Sequence, residues 1–191
     1  IFDRAFIPNE LIFMDGEYEF ASMLIERFTC YHRRSYVCKT GVGDVLIGAA
    51  ASIADYNGVP NVSHIKDKLV EMTHLNESIY GTGIASSYQS QKMKSGVWQN
   101  DEMLANVCKH NVTRFPYQIG RFAQDIAGGL MVTLPSEAEF RSPETGPLLK
   151  KYLKGRKGVD VENKMRVLRL IENMTMGRNA VGYLTESMHG A

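Results

Sequence analysis

The sequence predicts a mainly α fold: a helical bundle with a short β remnant at its N-terminus. Three observations carry that expectation. Apolar residues recur at helical spacing through most of the chain, while only the opening residues alternate apolar with polar. Ten methionines and 44% apolar residues suit a helix-rich core. At 191 residues the chain is long enough for one domain with a core, or for a part of a larger one. It begins at Ile1 and not at a methionine, as expected of an excerpt.

The opening, IFDRAFIPNELIFMDGEYEF, alternates through Phe2, Phe6 and Ile7, breaks at Pro8 and resumes from Leu11 to Met14. This is strand-and-turn chemistry, the tail of a sheet whose other strands lie elsewhere. From Glu17 the period changes. Phe20, Met23, Leu24, Arg27, Phe28 and Tyr31 follow helical spacing and predict an amphipathic helix that ends near CYHRRSYVCKTGVGD. Residues 43–56 are rich in Gly and Ala, which predicts an interior helix closely approached by another; Asn57, Gly58 and Pro60 end it. Ser63 is placed to cap the next helix, whose apolar face holds Ile65, Leu69, Met72 and Ile79. Further helices are predicted over 101–108, 116–126 and 161–176. Between them, 135–158 is rich in Pro, Gly and Lys and reads as a surface excursion.

Several functions are disfavoured at once. A net charge of +1 implies no pull toward nucleic acid or acidic lipid. The most apolar stretch, 42–54, carries Asp44 and is shorter than the roughly 20 residues a membrane-spanning helix needs. Three cysteines do not read as a disulfide framework, and no export signal is visible, so a cytoplasmic setting is expected. The Asn-x-Ser/Thr triplets at Asn61, Asn76, Asn111 and Asn173 carry little weight without such a signal.

The chemistry concentrates around Cys30 to Asp44. His32 and Tyr36 stand four residues apart and share a helix face, and Cys38 follows where the helix ends. One imidazole and one thiolate are half of a four-ligand metal shell. Cys30 points to the other side of the helix, and Cys108 reads as a core residue. A histidine near tyrosines is also compatible with a purely structural role. Lys39, Thr40, Gly41 and Gly43 resemble fragments of a phosphate loop in the wrong order, although a helix starting near Gly43 would offer N–H groups to an anion. At Gln124 to Gly129 a helix ends in paired glycines; a C-cap explains one, and the other leaves room for a ligand's close approach. Near the end, YLTESMHG sets Glu186 beside hydroxyls and an imidazole, the company of a tuned base or of a solvated surface carboxylate.

Four stretches, YHRRSYVCKTGVGDVLIGAA, EMTHLNESIYGTGIA, NVTRFPYQIGRFAQDIAGGLMVTLPSEAEF and AVGYLTESMHGA, together resemble the 4-hydroxybutyryl-CoA dehydratases. These belong to the flavoprotein group that includes 4-hydroxyphenylacetate 3-monooxygenase, with an acyl-CoA-dehydrogenase-like fold. The resemblance covers nearly the whole chain. It implies that residues 1–16 are the remnant of a β domain and 17–191 an incomplete C-terminal helical domain. It further implies an enzyme with FAD and a [4Fe-4S] cluster, a homotetramer acting on acyl-CoA, with no nucleic-acid or membrane partner. The expected activity is dehydration of 4-hydroxybutyryl-CoA to crotonyl-CoA, with vinylacetyl-CoA isomerisation beside it.

Residue by residue, the resemblance makes His32 and Cys38 cluster ligands, with His32 also moving a proton. Tyr36 would stand at the active centre, Lys39 against the flavin, and Glu186 would be the C-terminal catalytic carboxylate. Gln124, Gly128 and Gly129 would meet FAD. Only Val37 lies between Tyr36 and Cys38, where the family pattern has two residues. Two rivals follow: a cluster-free flavin monooxygenase of the same fold, and a helical scaffold without chemistry.

Overall fold

The computed structural model describes residues 1–185, the side chains of Ser35, Tyr36 and Thr185 excepted. Helix α1 (Ala21–Ser35) runs through a 3-10 turn (Tyr36–Cys38) into α2 (Lys39–Tyr56), and α3 (Ser63–Tyr88) returns alongside. A two-stranded antiparallel hairpin, β1 (Gln91–Lys92) with β2 (Trp98–Gln99), leads to α4 (Glu102–Val112) and α5 (Phe115–Ala127). Two short helices, α6 (Glu137–Arg141) and α7 (Gly146–Tyr152), precede α8 (Val161–Thr175). The mainly α architecture is the one the periodicity predicts.

Helix α2 is the centre of the bundle, packing on α3, α5 and α8. Its small residues explain this position. Ala50 and Ala54 are fully buried and Gly43 is buried, so neighbouring helices approach its backbone closely. Leu46, Ile53, Met72, Ile79, Ile119 and Leu168 fill the core between these helices. By length and composition alone the run Tyr18–Tyr56 is long and apolar enough to cross a membrane, and it is longer than the stretch singled out from sequence. In the fold, Leu46, Ala49, Ala50, Ile53 and Ala54 of α2 enter the core, while Val45 is exposed.

A buried polar knot ties α1 to α3 and α4. Asn100 donates to the Cys30 carbonyl and to Ser86 Oγ, both at 3.2 Å, while Ser86 Oγ donates to the Asp101 carbonyl at 2.8 Å. Asp101 then caps α4 by accepting from the Leu104 N–H at 2.7 Å. Asp101→Ala is expected to cost about 1 kcal/mol, read as a lower denaturant midpoint at an unchanged slope.

Three expectations need correction. Residues 1–20 form no strand: they contain two 3-10 turns, Asn9–Leu11 and Tyr18–Phe20, and all but half-buried Pro8 are exposed. Alternation specifies a strand only when another strand is present to pair with it. Ser63 is the first residue of α3 and not its cap, since Val62 occupies that position without a side-chain bond. And α2 begins at Lys39, not near Gly43. The 3-10 turn feeds straight into it, so this stretch is continuous helix and no phosphate-binding loop forms.

The excursion over 135–158 is partly ordered. Ser136 and Glu139 make a reciprocal capping box at the start of α6, and Phe140 is buried. The amphipathic helix predicted from Glu17 is present as α1, yet its apolar residues Met23, Leu24, Ile25 and Phe28 are exposed. No described element covers them.

Candidate active site

The joint between α1 and α2 holds the residues that sequence singles out. The last turn of α1 carries His32 with Arg33 and Arg34, two cations placed where the helix dipole favours them. His32 is half-buried and its ring stacks on Phe28 at 5.5 Å between centroids. Arg33 donates to Asn106 Oδ1 at 2.7 Å and Arg34 to Ser87 Oγ at 3.1 Å, which fixes the end of α1 on α4 and α3. Thr40 Oγ1 donates to the Val37 carbonyl at 2.8 Å across the joint.

Cys38 is exposed, and Lys39 beside it is half-buried. Cys38 lines an apolar cleft of about 410 Å³ with Val42, Val45, Leu170, Met174 and Tyr183. Tyr183 belongs to the C-terminal motif, so the fold carries that motif to the joint from the far end of the chain. Glu186 lies outside the described residues. The Tyr36 side chain is likewise not described.

A second cleft, about 600 Å³, contains Gln124, Gly128 and Gly129 with Lys68 and Arg121. Gln124 donates to the Thr175 carbonyl at 3.1 Å, tying α5 to the end of α8. Gly128 closes α5 at φ 77°, a conformation that favours glycine. Open space surrounds the positions where Cβ atoms would stand on Gly128 and Gly129. The two candidate regions therefore open into separate clefts of this chain.

The other two cysteines are structural. Cys30 is buried and its thiol donates to the Asn100 carbonyl at 3.7 Å. Cys108 is fully buried, and burial pushes its thiol pKa up against the opposing pull of Thr82 and Arg34. It stays protonated at neutral pH. Among the described residues no group of three or more His, Cys, Asp or Glu could hold a metal ion.

Sequence reasoning missed how α3 grips the joint. Asn76, only 2% exposed, donates through Nδ2 to the Thr40 carbonyl at 3.1 Å and to Asp44 Oδ1 at 2.8 Å. A Cβ on Gly43 would overlap Asn76 Oδ1 and lie 2.6 Å from its Cγ. Two turns further along α3, a Cβ on Gly83 would lie 2.8 Å from Val37 Cβ. The signal was available: Asn76 falls in register with Met72, Ile79 and Gly83 on the apolar face of α3, where a polar side chain needs a reason. Its burial also removes it as a glycan acceptor.

Residues 21–191 match the family model described as 4-hydroxyphenylacetate 3-hydroxylase C terminal. Over its whole length the chain is 56% identical to the 4-hydroxybutyryl-CoA dehydratase/vinylacetyl-CoA-Delta-isomerase of Clostridium aminobutyricum, covering 41% of that protein. A solved structure of an oxygen-tolerant archaeal 4-hydroxybutyryl-CoA dehydratase from N. maritimus superposes with a TM-score of 0.95 at 82% identity, over 100% of this chain and 38% of that one. The oxygenase component of 4-hydroxyphenylacetate 3-monooxygenase, complexed with FAD and 4-hydroxyphenylacetate, shares the fold at a TM-score of 0.86 and 22% identity, over 98% of this chain and 40% of that one. The chain thus spans about two-fifths of the relatives it matches. It belongs to the 4-hydroxyphenylacetate 3-hydroxylase C-terminal family.

Proposed function

We propose that this chain is the C-terminal helical domain of a 4-hydroxybutyryl-CoA dehydratase that also isomerises vinylacetyl-CoA. The whole enzyme would convert 4-hydroxybutyryl-CoA to crotonyl-CoA by a radical mechanism. The observation that supports it most is 56% identity, across the entire chain, with an enzyme of that name. Residues 1–16 would then end a preceding β domain, and 17–191 would be the helical one. The working enzyme is proposed as a cytoplasmic homotetramer; the exposed apolar face of α1 gives such packing a surface to cover.

The donor chemistry supports both cofactors to different extents. For FAD, Gly128 and Gly129 leave their backbone open to approach, while Arg121 puts a cation in the same cleft and Lys68 there is paired with Asp125. For a [4Fe-4S] cluster, His32 and Cys38 supply an imidazole and a thiol of the right chemistry but only half a shell. The other ligands would come from outside this chain. When bound, FAD supplies one-electron chemistry and the cluster a Lewis-acidic iron.

The remaining tasks fall to side chains. Lys39, next to the thiol at the start of α2, would orient a flavin there, and the separate Gly128 cleft would then meet the FAD of a neighbouring subunit. His32 would accept the substrate's β-proton at an imidazole nitrogen once the one-electron chemistry that FAD supplies has made that proton acidic, and Tyr36 would stand at the active centre. Glu186 moves the second proton at its carboxylate oxygen. Leu170 and Met174, in the cleft with Cys38, keep water from the reacting carbons.

The full-length protein, purified without oxygen, is expected to be brown, to hold FAD and about four iron atoms per chain, and to dehydrate 4-hydroxybutyryl-CoA. An iron-free yellow protein that hydroxylates a phenol would instead establish the monooxygenase alternative.

A further inference from the structure

We propose that Asn76 is a positioning residue for the Cys38–Lys39 joint, acting through its two hydrogen bonds to the first turns of α2. The role rests on the proposed function only in what the joint is for; the grip itself is geometric. Cys38 and Lys39 stand between two contacts with one helix. On the near side Val37 packs against Gly83; on the far side Asn76 holds the Thr40 carbonyl and Asp44. Both α3 residues lie on a single long helix, so the spacing between the two contacts is set by a rigid element.

The asparagine is costly to bury and is placed with care. Its Nδ2 group makes two bonds, while Oδ1 accepts no N–H or O–H from a described residue and faces the Gly43 backbone. An apolar side chain would pack against the bare α2 backbone as well, without an unpaired buried oxygen. What only the amide provides is a fixed distance and rotation for the start of α2. One turn of slack there would swing the Cys38 thiol and the Lys39 amine, and misplacements of about 1 Å at a reacting centre cost roughly 100-fold in rate.

The test uses the full-length enzyme, with Asn100→Ala as the reference, because Asn100 is also a buried amide but ties Cys30 of α1 to Ser86 of α3 and, among the described residues, makes no bond to α2. Asn76→Ala is expected to lower kcat about 10- to 100-fold with KM changed less than about threefold. It should also raise the rate at which iodoacetamide alkylates Cys38, mapped by mass, at least roughly fivefold. Asp44→Ala, on an exposed side chain, should move both readouts in the same direction by a smaller factor. Gly43→Ala alone should lower the melting temperature. In the Asn76→Ala background it should not, since the space is vacated, yet kcat and alkylation should stay at the Asn76→Ala values because the hydrogen bonds remain lost.

The proposal is overturned if Asn76→Ala and Asn100→Ala change kcat and Cys38 alkylation alike for an equal loss of stability. Restoration of both readouts by the double variant would overturn it too. If the unsubstituted enzyme does not turn over 4-hydroxybutyryl-CoA, the proposed function fails, and Cys38 alkylation alone decides the role of Asn76.

Discussion

In the full-length enzyme, Cys38→Ala is expected to abolish most of the bound iron and to reduce dehydration on the order of 10³-fold, with FAD retained. A Lewis acid contributes several kcal/mol to a transition state, and each 1.36 kcal/mol is a factor of about ten. The fold should survive. Cys38 is exposed at a helix joint and its side chain fills no core volume, so the substitution should change stability by about 0.5 kcal/mol or less. Iron analysis, the visible spectrum and thermal unfolding on one sample separate these effects. Unchanged iron would remove Cys38 from the ligand set. Cys30→Ala and Cys108→Ala should do the opposite: both thiols are buried, so stability falls while iron stays.

Gly155→Ala carries the largest expected effect on the fold, about 3 kcal/mol or more of lost stability. A Cβ at this position would overlap the Tyr56 carbonyl oxygen and lie 3.1 Å from the carbonyl carbon. Backbone cannot swing aside as a side-chain tip can, so this sits at the upper end of overpacking costs. The same contact closes the end of α2. The Arg156 N–H donates to the Tyr56 carbonyl at 2.8 Å, its Nε donates to the Asp55 carbonyl at 3.1 Å, and its guanidinium pairs with the Asp55 carboxylate at 2.7 Å. These bonds satisfy carbonyls that a helix end otherwise leaves open. A melting temperature within about 2 °C of the unsubstituted protein would show that the segment after α7 does not pack on α2 as described.

That contact illustrates what a sequence pattern does not reach. Gly155 sits in a stretch that reads as a surface excursion because Pro, Gly and Lys are abundant there. The glycine is needed for a close approach to a helix end about a hundred positions earlier, which no local period records. The longer helices, by contrast, were legible, because each depends on the spacing of apolar residues along several turns, whereas the short α6 and α7 were not. The stops were legible for the same local reason: Asn57 caps α2, and Gly58 and Gly128 take the positive φ that ends a helix.

The candidate site divides along the same line. That His32, Cys38 and Lys39 stand together at a helix joint is visible in a short stretch of sequence. That Tyr183 of the C-terminal motif shares a cleft with Cys38, whereas Gln124 and Gly128 open into another, depends on how α2, α5 and α8 pack. The exposed apolar face of α1 shows the limit from the other side. Spacing established that α1 is amphipathic, while its partner is a property of an assembly and not of the helix.

By itself, then, the sequence determined a bundle of amphipathic helices around a Gly- and Ala-rich central one, with His32, Cys38 and Lys39 near the entry to that helix. Periodicity and local turn chemistry act within a few residues, so one dimension is enough to read them. Only the tertiary structure decided that Asn76 and Gly83 grip the entry, that Gly155 closes the exit, and that residues 1–20 remain without a strand partner. Each of these is a contact between segments far apart in the chain, where steric fit and hydrogen-bond geometry, and not local preference, select the residue.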